Sequence, residues 1–179
     1  VSWAGDVNGD GLDDLIMGAH WANPNGLSQA GKSYVVFGKS NGTAAIDLSA
    51  VSGGTGGFVI NGETAGDQLG YCVSGAGDVN GDGLADLIVG ARLASGGAGK
   101  SYVVFGKRNN TDAINLSAIV AGTGGFVING QSVSDASGVS VSGAGDVNGD
   151  GLADLIVGTY QGDANGFIDA GKSYVVFGK

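Results

Sequence analysis

The chain repeats itself, and the repeat limits what it can fold into. Gly-Asp-Val-Asn-Gly-Asp-Gly-Leu begins at Gly5, Gly77 and Gly145, so the starts are 72 and then 68 residues apart. Gly-Lys-Ser-Tyr-Val-Val-Phe-Gly-Lys fills 31–39, 99–107 and 171–179, and Gly-Phe-Val-Ile-Asn-Gly fills 57–62 and 125–130. The four-residue difference lies entirely in one segment, Gly18 to Gly31, Gly90 to Gly99 and Gly158 to Gly171. A fixed frame with one elastic loop describes a structural unit with a variable surface.

Each period holds four short β-like segments. In the second copy they fall at 70–74, 85–90, 100–106 and 125–129, bounded by Gly, Asn or Asp. Leu87-Ile88-Val89 and Val103-Val104-Phe105 are continuously apolar, which predicts strands covered on both faces. With 38 glycines among 179 residues, long helices are disfavoured. Four-stranded sheets covered on both faces point to an all-β fold, a β-propeller segment of about three blades at 1–62, 63–130 and 131–179. The first is expected to begin part-way along a strand, and the last to lack its fourth. Propellers close with four to eight blades, so the expectation is a fragment of a longer array; self-association of several chains is the other way to complete a ring. Ala45–Val51 and Ala113–Val120 read equally well as a helical turn or an extra strand.

The acids are concentrated in three blocks, Asp6 to Asp14, Asp78 to Asp86 and Asp146 to Asp154. In each, oxygen-bearing side chains occupy positions 1, 3, 5 and 9, with Gly at position 6. Asp6, Asn8 and Asp10 are positioned to supply side-chain oxygens, Leu12 a backbone carbonyl, and Asp14 a closing bidentate carboxylate. The same roles fall to Asp78, Asn80, Asp82, Leu84 and Asp86, and to Asp146, Asn148, Asp150, Leu152 and Asp154. About six oxygens suit Ca²⁺, whereas Zn²⁺ would favour His or Cys. Gly11, Gly83 and Gly151 allow the sharp turn, and the three leucines are expected to anchor the loops in the core. An EF-hand or dockerin loop needs an acid at position 12, where this chain has Met17, Val89 and Val157. Bare Asx-Gly turns are the alternative. Two carboxylates about 5 Å apart, however, repel by roughly 3 kcal/mol at an effective dielectric of 20, a cost a cation removes. The net charge of −9 would fall to −3 with three Ca²⁺. The same charge argues against nucleic acid or an anionic membrane as partner.

The Asp-x-Asn-x-Asp-Gly-x-x-Asp-Leu pattern, complete in all three copies, resembles the FG-GAP repeat of integrin α-subunit propellers and their bacterial relatives. The name-giving ends depart from it. The "FG" position reads Leu69-Gly70 and Ser137-Gly138, and the "GAP" position Gly18-Ala19-His20, Gly90-Ala91-Arg92 and Gly158-Thr159-Tyr160. These departures and the near-identity of the copies point to a prokaryotic secreted or surface protein. The resemblance implies a seven-bladed propeller with calcium on one face and adhesion or recognition, of a protein or glycan, on the other. The elastic loops would supply that second face, with Trp21, Arg92, Tyr160, Gln161, Asp163 and Phe167 as candidate anchors. Extracellular or cell-surface placement follows from the same resemblance. The alternative is a structural or accessory propeller of a larger secreted enzyme or coat protein.

Catalysis finds little support: His20 is the single histidine and stands in no nucleophile–base arrangement. Cys72, the single cysteine, sits in an apolar run and reads as a small buried hydrophobe. No apolar run is long enough for membrane insertion. Asn41, Asn109 and Asn115 begin N-glycan acceptor triplets.

Overall fold

The computed structural model describes residues 1–41, 45–108 and 111–179. Three antiparallel sheets follow one another along the chain. The first has four strands in the order β1 (Ser2–Gly5), β2 (Asp14–Ala19), β3 (Lys32–Val36) and β4 (Gly57–Asn61). The second repeats this with β5 (Val73–Gly77), β6 (Asp86–Ala91), β7 (Lys100–Val104) and β8 (Gly125–Asn129). The third has three strands, β9 (Ser140–Gly145), β10 (Asp154–Thr159) and β11 (Lys172–Val176). The fold is all-β, as expected, and each sheet is a meander of sequential neighbours, the form of a propeller blade. The first repeat contributes four strands even though its opening strand is only four residues long.

Registers repeat from blade to blade. Val89 faces Tyr102, and Tyr102 faces Val127; Met17, Tyr34 and Val59 pair in the same way. A bulge recurs where the first strand meets the second, at Gly5↔Asp14, Gly77↔Asp86 and Gly145↔Asp154. The opening strand of the second copy begins at Val73 rather than Gly70. Gly70 has φ +80, a left-handed conformation that breaks the strand and turns the incoming connector along the preceding blade. The β3-type strand also stops earlier than expected, at Val104.

The two undecided segments are short helices, Leu48–Ser52 and Leu116–Val120. Asp47 and Asn115 cap them, each side chain accepting the backbone N–H two residues on, at 2.8 and 3.0 Å. Capping engages Asn115, one of the glycan acceptor positions; the triplets at Asn41 and Asn109 extend outside the described residues.

Apolar packing lies between the blades. One cluster joins Ala4, Ile16 and Val35 of the first blade to Leu87, Val89 and Val104 of the second. Another joins Ala76, Ile88 and Val103 of the second to Val141, Leu155 and Val157 of the third. The middle blade is therefore covered on both faces, and Leu87, Ile88 and Val89 are all fully buried. Cys72 is half-buried at the second of these seams, where its sulfur accepts the Val141 N–H at 3.4 Å.

Candidate functional site

Each acidic loop joins the first and second strands of its blade. Gly11, Gly83 and Gly151 take φ values of +85, +83 and +89, so position 6 makes the expected sharp turn. The turn brings the position-1 aspartate against loop amides. One oxygen of Asp6 accepts the Gly9 and Asp10 N–H groups at 2.7 and 3.1 Å, and the other accepts Gly11 N–H at 2.9 Å. Asn8 Oδ1 accepts Asp10 N–H at 2.9 Å, and Asp10 Oδ1 accepts Leu12 N–H at 2.9 Å. The second and third loops reproduce the pattern through Asp78, Asn80 and Asp82, and through Asp146, Asn148 and Asp150.

The position-9 aspartates behave differently. Asp14, Asp86 and Asp154 are wholly inaccessible to solvent. Asp14 accepts Val7 N–H at 2.9 Å on one oxygen and Gly38 N–H at 2.8 Å on the other, tying the loop to the end of β3. Asp86 does the same with Val79 and Gly106, and Asp154 with Val147 and Gly178. Burial raises the Asp14 carboxyl above its ordinary value against the pull of the two amides, and the Asp10 and Asp6 charges raise it further. In the middle blade, burial pushes Asp86 up to about 6, again with Asp82 and Asp78 adding to the rise. Asp154 is lowered, chiefly by the Gly178 amide. Among the described residues no sheet packs beyond its blade, so fewer protein atoms desolvate the carboxyl and the amide bonds prevail.

The leucines correct one expectation. Leu84 is buried, but Leu12 and Leu152 are only half-buried. The Leu84 and Leu152 side chains lie over the preceding blade's loop. A Cβ at Gly9 would come within 3.1 Å of Leu84, and one at Gly81 within 3.1 Å of Leu152. Main-chain bonds reinforce this seam. Asp6 and Val7 carbonyls accept the Ala85 and Lys107 N–H groups, and Asp78 and Val79 carbonyls accept those of Ala153 and Lys179, at 2.9–3.0 Å.

Among the described residues, no three His, Cys, Asp or Glu side chains converge on a single point. The loop oxygens instead close on the loop's own amides. The side-chain donors at the four positions are all oxygen, and each carboxylate oxygen has acceptor capacity beyond one N–H. The donor chemistry therefore fits a hard divalent cation.

The elastic loops join the second and third strands and so lie at the opposite end of each antiparallel sheet. Trp21, Tyr160 and Phe167 are exposed there, as is Asp163, which accepts Asp169 N–H at 3.0 Å. Arg92 is less free. Its guanidinium stacks 4.2 Å from the Tyr71 ring centroid, and its Nε donates to Gln68 at 3.1 Å. His20 packs edge-on against both Tyr71 and Trp21, with centroids 5.1 and 5.9 Å apart. Trp21 and Arg92 are thus joined through His20, which lies in the first elastic loop but is not among the candidate anchors, and Tyr71, which lies outside the loops. The signal for Tyr71 was its place directly after the glycine of the "FG" position. Arg92, Tyr160 and Gln161 line one groove between the second and third blades, and Asp163 and Phe167 lie outside it.

Three propeller-type blades, each with an Asp/Asn loop at one end, define a repeat protein of the integrin α-like class. The FG-GAP repeat family model matches residues 3–36, 73–104 and 137–176, more than half of the chain, and the chain belongs to that family. Integrin alpha pat-2 of Caenorhabditis briggsae is 31% identical over 164 residues, 87% of this chain and 13% of that protein. Phosphatidylinositol-glycan-specific phospholipase D of Bos taurus is 29% identical over 166 residues, 89% of this chain and 18% of that protein. The Dictyostelium discoideum protein of the same name is 31% identical over 171 residues, 86% of this chain and 17% of its own length. The chain thus spans less than a fifth of each of these relatives. No helix among the described residues is long and apolar enough to cross a membrane.

Proposed function

We propose that this chain is a calcium-binding propeller module for extracellular adhesion or recognition, with one Ca²⁺ in each acidic loop and a protein or glycan bound by the elastic-loop face. The observation that carries the metal reading is the crowding in the first two loops. Burial raises the Asp14 and Asp86 carboxyls, and two further acids in each loop add to the rise. A hard divalent cation removes that repulsion with the oxygens already present. Asp6, Asn8, Asp10, the Leu12 carbonyl and Asp14 would hold the first ion, and the equivalent residues the other two. Isothermal titration should give three Ca²⁺ per chain, falling to two in each of Asp10→Ala, Asp82→Ala and Asp150→Ala. A flat titration at millimolar Ca²⁺ would end this reading. The recognition half is tested by protein and glycan arrays in Ca²⁺ and in chelator, and binding unaffected by Trp21→Ala and Tyr160→Ala would remove the elastic loops from it.

Similarity to phosphatidylinositol-glycan-specific phospholipase D favours a second reading, an accessory propeller in a larger secreted enzyme. In that case the module itself has no turnover. Hydrolysis by the isolated chain that is abolished in His20→Ala would contradict both readings.

A further inference from the structure

The seam between the second and third blades does not copy the seam before it. At the first seam the His20 and Arg92 side chains both pack on Tyr71, and Gln68 reaches Arg92 Nε. One repeat on, Val139 stands in the place of Tyr71 and Ala136 in the place of Gln68. The smaller side chains leave a groove of about 360 Å³, lined by Arg92, Tyr160, Gln161 and Ser134, with Gly96-Gly97 along one side. Small-molecule sites run from roughly 300 to 1,000 Å³.

Arg92 gives the groove its chemistry. Tyr71 lies against the guanidinium and Gln68 holds Nε, while the two terminal amino groups have no partner among the described residues. Asp135 and Asp163, in the segments that border the groove, accept the Ser132 and Asp169 N–H groups and do not line it. An oriented guanidinium matches a carboxylate through two parallel hydrogen bonds, and little side-chain freedom is left to lose on binding. Tyr160, 54% exposed, adds an aromatic face, and Gln161 an amide. Ser134 has φ +73, where the preceding repeat has Gly66 at φ +84. Glycine takes that conformation without steric cost, whereas serine is strained there and brings a hydroxyl to the groove.

We infer that this groove binds an acidic sugar, a uronic-acid unit of a glycan, with its carboxylate on Arg92 and its ring against Tyr160; this rests on the recognition role proposed for the elastic-loop face and adds the class of ligand. A sugar ring has an apolar C–H face and a polar rim, which suits a tyrosine set beside an amide and a hydroxyl. A peptide strand instead needs an open sheet edge or a row of apolar pockets. Leu93 is the one large aliphatic side chain lining this groove.

Calorimetry in Ca²⁺ and in EGTA tests it, with tetragalacturonate and a hyaluronan tetrasaccharide, each beside its carboxyl-reduced neutral form. At least one acidic oligosaccharide should bind, and its neutral form should bind at least ~tenfold more weakly. Arg92→Gln and Arg92→Lys should each weaken binding at least ~tenfold, the lysine because it keeps the charge without the fork. Arg108→Gln, which removes the same charge beside Gly9 of the first acidic loop, should leave binding unchanged. Ser134→Gly should bind more weakly yet melt no lower than wild type, which separates loss of the site from loss of the fold. The acidic-sugar assignment is overturned if neither acidic oligosaccharide binds at millimolar concentration in either buffer, if the neutral forms bind equally well, if the Arg92 variants bind as wild type does, or if hexa-aspartate binds as tightly. A neutral glycan or a protein held through Trp21 would also overturn it, while leaving the elastic-loop face as a recognition surface.

Discussion

At the scale of single residues, position 9 of each loop has two roles that can be separated. Asp86 is a candidate calcium ligand, and it already holds Val79 and Gly106 amides in a fully buried site. Asp82 is exposed and bonds only within its own loop. Asp86→Ala would leave two buried N–H groups unpaired, at a cost of about 1–3 kcal/mol each. Asp86→Ala should therefore lose about 2–5 kcal/mol of stability in EGTA, whereas Asp82→Ala should lose less than about 1 kcal/mol under the same conditions. Urea denaturation in chelator checks both. Equal losses would mean that the buried amide bonds carry no special weight. The sequence groups the five positions of each loop but carries no sign of this division. Asp14 and Asp6 look alike in the pattern, and what separates them is contact with an amide 24 residues away.

At the scale of the elements, the repeats are nearly identical in sequence and unequal in surroundings. Gly18 and Gly90 lie against the main chain of the next connector, so a Cβ there would overlap the carbonyl oxygen of Gly70 or Gly138. Gly158, in the third blade, meets nothing nearer than 3.5 Å. The same substitution should then give opposite outcomes. Gly90→Ala should destabilise by about 2 kcal/mol or more through overpacking, and Gly158→Ala should stay within about 0.5 kcal/mol of wild type. Thermal melts of the two variants decide it. Most strands were legible because turn residues bracket each apolar run. The third-strand runs were placed two residues too long, and the opening strand of the second copy three residues too early. Tyr71 and Cys72 have strand-like side chains, but the left-handed Gly70 and the connector's path along the preceding blade are tertiary facts. The helices at Leu48–Ser52 and Leu116–Val120 were undecidable for a similar reason. A five-residue segment of mixed polarity fits either period, and the Asp47 and Asn115 caps settle it.

At the scale of the whole molecule, every blade is held by what lies on either side of it. Among the described residues the middle blade packs against a blade on each face, the first and third pack against one each, and the third sheet has three strands. Amide exchange should follow that order. Leu87–Val89 and Val103–Val104 should be the slowest to exchange, and Lys172–Val176, with no buried residue along β11, the fastest of the strands. The same asymmetry reaches the loops. The first loop is clasped by Ala85 and Lys107, and the second by Ala153 and Lys179, while among the described residues no following blade holds the third. Asp146, Asn148 and Asp150 are accordingly exposed, where Asn8 is buried. A loop already fixed by its neighbours spends less conformational entropy when it closes on an ion. Three loops with the same set of candidate ligands should therefore not bind calcium equally. Two sites should titrate together and the third about tenfold more weakly, a difference of ~1.4 kcal/mol, close to one net hydrogen bond. Calorimetry of Asp150→Ala should delete the weak phase and leave the strong one intact, while Asp10→Ala or Asp82→Ala removes half of the strong phase. If all three sites proved equal in affinity, the seam contacts would have no influence on the loops, and the blades would act as independent binding units.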